Sequence, residues 1–121
     1  MTQTTTTVPI PMVDASAIEW AEHPRIKNVF MKTLFTSKDN PLANISLVKV
    51  PPGGEVTRHI HPKEVESIYV LSGQSTLILG ETEVPFNVGQ AVAIPMGLEH
   101  GLRTEGAEAV EIITFFTPPI A

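Results

Sequence analysis

The chain has no cysteine. Disulfides, thiolate ligands and a cysteine nucleophile are therefore excluded, and any metal or reaction must rely on histidine, carboxylate and hydroxyl groups. The absence also fits a cytoplasmic protein, which is the expected location. No apolar run is long enough to span a bilayer, so no membrane partner is expected. The first residues, MTQTTTTVPIPMV, lack the basic stretch and the unbroken apolar core of a signal peptide. Basic residues are missing from one long stretch. No Lys or Arg lies between Lys63 and Arg103, while Glu64, Glu66, Glu81, Glu83 and Glu99 do. With a formal net charge of −5, this argues against nucleic acid as a partner and gives the second half a negative field that helps hold a cation. Sustained helical periodicity is lacking too.

What remains is a series of short strands. At 121 residues the chain is one domain by length. The Thr run at the start is low in complexity and is expected to be poorly ordered. Residues 1–24 read as an N-terminal extension, partly disordered or packed on a neighbour, and residues 25–121 as a single barrel domain. Within the extension, Asp14 to Trp20 can form a short helical turn capped by Asp14 or Ser16, and Pro24 stops it. Strands are expected over Arg25–Phe35, Ala43–Val50, the two halves of Gly53–Gly73, Ser75–Leu79, Thr82–Phe86, Gln90–Ile94, Glu99–Arg103 and Ala109–Thr117. Gly, Pro, Asn or Asp punctuates them at intervals of roughly 8–12 residues, the signature of an all-β sandwich or closed barrel. The last strand is apolar on both faces, with Val110, Ile112 and Phe116 on one and Ile113 and Phe115 on the other. A small barrel covers only its inside, so the outside is expected to meet the N-terminal segment or a second subunit, most simply in a homodimer.

Chemistry concentrates in Gly53–Gly73, GGEVTRHIHPKEVESIYVLSG. On a strand, His59 and His61 project from the same face, because side chains alternate with period two. A second strand running back antiparallel would bring a carboxylate beside them. Glu64 and Glu66 compete for that role. Farther on, His100 follows a Pro-x-Gly turn (Pro95, Met96, Gly97). His59, His61, Glu66 and His100 would supply three nitrogens and one carboxylate to a divalent ion and leave one or two positions open. His23, beside Pro24 in the polar N-terminal part, is left out of the set. Arg58 and Glu99 should alternate outward as solvated charges. Phe30, Phe35, Tyr69, Phe86, Phe115 and Phe116 read as core or interface rather than as a substrate platform.

These spacings resemble the cupin family. Its first motif is Gly, five residues, His-x-His, three or four residues, Glu, six residues, Gly. Gly53, His59, His61, Glu66 and Gly73 match it, and the step to Gly73 selects Glu66 over Glu64. The second motif is Gly, five residues, Pro-x-Gly, two residues, His, three residues, Asn. Gly89, Pro95, Gly97 and His100 match, while Thr104 stands where the family usually has Asn. The two motifs span Gly53 to Thr104, and Gln74–Val88 between them has the length seen in small single-domain members.

The resemblance implies a small jelly-roll barrel (a double-stranded β-helix) that holds Mn, Fe, Ni or Zn on His59, His61, Glu66 and His100. It also implies a small-molecule ligand as partner. The activity it suggests first is that of a dioxygenase acting on a small organic acid, diketone or enediol-like substrate, with Glu66 a possible general base. A metal-free polar pocket or a non-catalytic binding or sensing module is the alternative, since the residues show no second acid–base pair inside. A sugar isomerase or epimerase is a third reading, weakened for phosphorylated sugars by the missing cations.

Overall fold

The computed structural model describes residues 10–121, and the Thr run lies outside them. Ten strands follow a 3-10 turn at Ala15–Ala17: β1 (Ala21–Glu22), β2 (Phe30–Phe35), β3 (Asn44–Val50), β4 (Glu55–His59), β5 (Val65–Ser72), β6 (Gln74–Leu79), β7 (Thr82–Asn87), β8 (Ala91–Ile94), β9 (His100–Thr104) and β10 (Val110–Thr117). They form two antiparallel sheets, one of six strands in the order β1-β2-β3-β10-β5-β8 and one of four in the order β4-β9-β6-β7. This is the all-β architecture expected from the strand spacing, in the jelly-roll form that the family resemblance implies.

The inner faces follow from period-two alternation. In β3, Asn44, Ser46, Val48 and Val50 are buried while the residues between them are half-buried. In β10 the inward set is Val110, Ile112, Thr114 and Phe116. Of these, Val48, Val50, Val110 and Ile112 meet Ile68 and Val70 of β5, Leu77 of β6, Phe86 of β7, Ile94 of β8 and Leu102 of β9 in one apolar core.

One local difference from the sequence reading has a physical cause. The strand expected over Arg25–Phe35 begins only at Phe30, because Asn28 turns the chain in the left-handed region (φ 60°) and its N–H donates to Glu22 Oε2 at 3.0 Å. Pro24 therefore sits in a hairpin loop between β1 and β2, where Ala21 pairs with Met31 and Glu22 with Phe30. The short helical turn does form. Asp14 caps it and accepts from the Ser16 N–H at 3.0 Å.

The outer face of the six-stranded sheet is covered in part. Trp20 lies on β2 and β3 between two ammonium groups, 4.8 Å from Lys32 Nζ and 4.6 Å from Lys49 Nζ. The β5–β10 strip stays open within the chain. Tyr69 and Leu71 are exposed, and Ile113 and Phe115 are half-buried. No helix among the described residues is long and apolar enough to cross a membrane.

One irregularity positions the site. Val56 pairs with Leu102, yet His59 pairs with His100, so β4 carries one residue more than β9 across this interval. This is a β-bulge. Regular alternation from Val56, which packs on the core, would turn Arg58 inward and His59 outward. The extra residue reverses that. Gly101 makes room for it, because a Cβ there would stand 2.7 Å from the Val56 carbonyl oxygen.

Candidate metal centre

The structure brings His59, His61, Glu66 and His100 together, with one ligand atom from each lying within 4.8 Å of all the others. The route differs from the hairpin expected from sequence. β4 and β5 are not neighbours; they belong to opposite sheets. His59 ends β4, His100 begins β9 beside it, and Glu66 reaches them from β5 across the barrel. His61 lies just past β4, and its carbonyl accepts from the Gly97 N–H at 3.0 Å. The Pro-x-Gly turn thus holds the His61 loop as well as introducing His100.

Burial is graded. His100 is 3% exposed and Glu66 8%, whereas His59 and His61 are only partly buried, so the set opens on the side of these two. His59 Nδ1 donates to the Thr57 carbonyl at 2.7 Å, and His100 Nδ1 donates to the Leu98 carbonyl at 2.8 Å. Each bond places the ring proton on Nδ1 and leaves the Nε2 lone pair for a ligand. His61 Nε2 is buried without any hydrogen-bond partner. A buried nitrogen normally finds one, so this orphan fits a divalent ion, as does the donor set of three imidazoles and a carboxylate.

The charges agree with one another. Burial alone would raise the Glu66 pKa, but hydrogen bonds from His100 and Thr114 and the nearby imidazoles hold it below the usual carboxylate value. Burial would likewise lower His100. Its bond to Glu66 Oε1 at 2.9 Å, the Leu98 carbonyl and the carboxylate charge outweigh burial and raise it. Metal-free, the two form a buried ion pair in which a proton bridges Nε2 and Oε1. Burial, together with the charges of His59 and His100, depresses His61 despite the opposing pull of Glu66 3.6 Å away.

Other side chains sort cleanly. Arg58 donates to the Gly80 carbonyl and lies 3.7 Å from Glu99, both charges being exposed as expected. Thr104 is buried and donates to the Val50 carbonyl at 2.7 Å, tying the end of β9 to β3. His23 stands outside the cluster with its Nδ1 accepting from the Arg25 N–H. Phe86 is core, as expected, but Phe116 also walls the site, with its ring edge-on to His61 at 4.8 Å. Thr114 was not singled out by sequence. Its Oγ1 donates to Glu66 Oε2 at 2.7 Å. The signal was there: Thr114 is the one polar residue among the inward positions of β10.

Residues 46–116 match the family model for the cupin domain. The chain is a cupin. The polyketide synthase CurC of Streptomyces cyaneus is 27% identical over 74 residues, which cover 61% of this chain and 48% of that protein. The cupin spans about half the length of the curated relatives it matches first. Among solved structures, a predicted oxalate decarboxylase from Thermotoga maritima superimposes with a TM-score of 0.81 at 23% identity, over 88% of this chain and 98% of that one. The polyketide cyclase RemF from Streptomyces resistomycificus gives 0.76 at 23% identity, over 88% and 78%. At these identities the structural likeness establishes the fold.

Proposed function

We propose that this cupin is a metal-dependent enzyme acting on a small molecule with two oxygens in chelating range, such as an organic acid, diketone or enediol, and that it is an oxygenase. The observation that carries the reading is the convergence of His59, His61, Glu66 and His100 on one point open on the His59–His61 side. A first-row divalent ion bound there supplies Lewis-acid polarisation of the substrate oxygens and, if redox-active, electron exchange with O₂. The relatives support the substrate class. Polyketides carry repeated carbonyls and oxalate carries two carboxylates, so both offer an oxygen pair.

The residues then divide the work. His100 and Glu66 anchor the buried side, and His59 and His61 border the approach. Phe116 shields one flank from water. Glu66 Oε1 faces the imidazoles and would accept a substrate proton if the carboxylate leaves the ion and acts as general base. A binding or sensing role without turnover is the second reading, supported by Glu66 and His100 being the only buried titratable side chains among the described residues. We further propose a homodimer formed through the open strip of Tyr69, Leu71, Ile113 and Phe115.

Metal analysis of protein purified without added metal comes first. A stoichiometric Mn, Fe or Ni ion supports the enzyme, whereas zinc or no metal favours the binding role. O₂ uptake with a panel of diketones, enediols and dicarboxylic acids then tests turnover, and tight binding with no consumption would refute the oxygenase. Metal content unchanged in His59→Ala would overturn the ligand set itself.

A further inference from the structure

We infer that Thr114 is a positioning residue that divides the labour of the Glu66 carboxylate, holding Oε2 out of the ligand set so that Oε1 alone serves the ion. The inference rests on the ligand set proposed above and concerns a residue outside both sequence motifs.

Thr114 and Glu66 lie on adjacent strands. Phe116 is the register partner of Glu66 and Thr114 that of Ile68, so Thr114 and Glu66 are diagonal neighbours on the inner face. Thr114 is 2% exposed and Glu66 8%, so water cannot replace either group for the other. A buried hydroxyl needs a partner, and this one donates to a carboxylate oxygen at 2.7 Å. Such charge-assisted bonds are roughly twice as strong as neutral ones. The other oxygen, Oε1, is then the one near His100 Nε2 (2.9 Å) and His61 Nε2 (3.6 Å).

Without the hydroxyl, the terminal torsion of Glu66 is soft and either oxygen can turn toward His100. With it, one oxygen is committed. A site that takes one oxygen from its carboxylate keeps more positions free for a chelating substrate than one that takes two. Thr114 thus acts through Glu66 and touches neither ion nor substrate.

Two substitutions separate this role from packing. Thr114→Val keeps the volume and the branch at Cβ but removes the donor. Thr114→Ser keeps the donor and removes the methyl. Mn²⁺ affinity of the metal-stripped full chain is measured by competition with a fluorescent chelator, and the Mn²⁺-loaded proteins are compared by electron paramagnetic resonance. Thr114→Val is expected to weaken Mn²⁺ about 10–100-fold, the usual cost of losing a hydrogen bond that orients a ligand, and to change the spectrum. Thr114→Ser should retain wild-type affinity and spectrum. A Val variant equal to wild type in both readouts, or a Ser variant as weak as Val, overturns the inference. His100→Ala run alongside tells the failures apart. If it also binds Mn²⁺ like wild type, the ligand set itself falls. If it loses Mn²⁺ while Thr114→Val does not, only the role of Thr114 falls.

Discussion

Gly101→Ala should damage stability and metal binding together, although Gly101 is not a ligand and its backbone needs no left-handed conformation. The new Cβ would stand 2.7 Å from the Val56 carbonyl oxygen, 3.4 Å from the Arg58 nitrogen and 3.5 Å from the Thr57 carbonyl carbon. All three are backbone atoms, so no flexible side chain can yield. β4 itself has to move away from β9 by several tenths of an ångström. Overpacking of this kind costs about 1–3 kcal/mol. At roughly 3–6 °C per kcal/mol for a domain of this size, the melting temperature of the metal-free protein should fall by roughly 3–18 °C. His59 ends β4 and moves with it, whereas metal ligands tolerate displacements of only about 0.2 Å. Metal affinity should therefore drop at least about tenfold. Thermal unfolding of the stripped protein and a chelator competition measure the two effects. A variant that melts within a degree of wild type and binds metal equally well would refute the bulge as the device that aims His59.

His61→Ala should abolish metal-induced stabilisation yet change metal-free stability little. It loses an edge-on contact with Phe116 worth about 0.5–1.5 kcal/mol but also removes a buried nitrogen without a partner, which costs about 1–3 kcal/mol; a loss beyond 3 kcal/mol in denaturant unfolding would contradict this. His100→Ala should behave oppositely, costing the metal-free protein about 3–5 kcal/mol, because Glu66 is left buried without its charged partner. A smaller loss by the same measurement would mean that Glu66 simply takes up a proton. The pH dependence follows in sign. The lowered pKa of Glu66 gives stability that is present above its ordinary value of 4.5 and lost as pH falls through the lowered one. The raised pKa of His100 gives stability that is full below 6.5 and lost as pH rises through the raised value. Metal binding needs a neutral His100, so at pH values below its raised pKa binding should release a proton and strengthen as pH rises. Calorimetry in two buffers of different ionisation enthalpy checks this, and an absence of proton release would contradict the ion pair.

The strand series was legible because Gly and Pro punctuate it and because alternation marks the inner faces, as in β3. The cluster of four donors was legible because histidine spacing and the Pro-x-Gly turn are local. What sequence hid was non-local. The pairing of β4 with β9 rather than β5 depends on two sheets closing face to face, and adjacent sequence cannot tell a hairpin from a crossover between sheets. β1 was missed because a two-residue strand has no period to detect. Thr114 was hidden for a different reason. A single threonine on an apolar strand reads as a good β-former, and only the register of β10 against β5 gives its hydroxyl a task.

Because β4 and β9 belong to one sheet and β5 to the other, the four donors straddle the seam of the sandwich. An ion held by all four is a cross-link between two layers that are otherwise joined mainly by the apolar core. The linkage runs in both directions. Loading should slow the parting of the layers and protect the amides of β4 and β5 from exchange together. A cavity cut on a strand that carries no ligand, as in Phe86→Ala of β7, should in turn speed the escape of the ion by letting the layers breathe. Occupancy of the centre would then report on the integrity of the whole barrel.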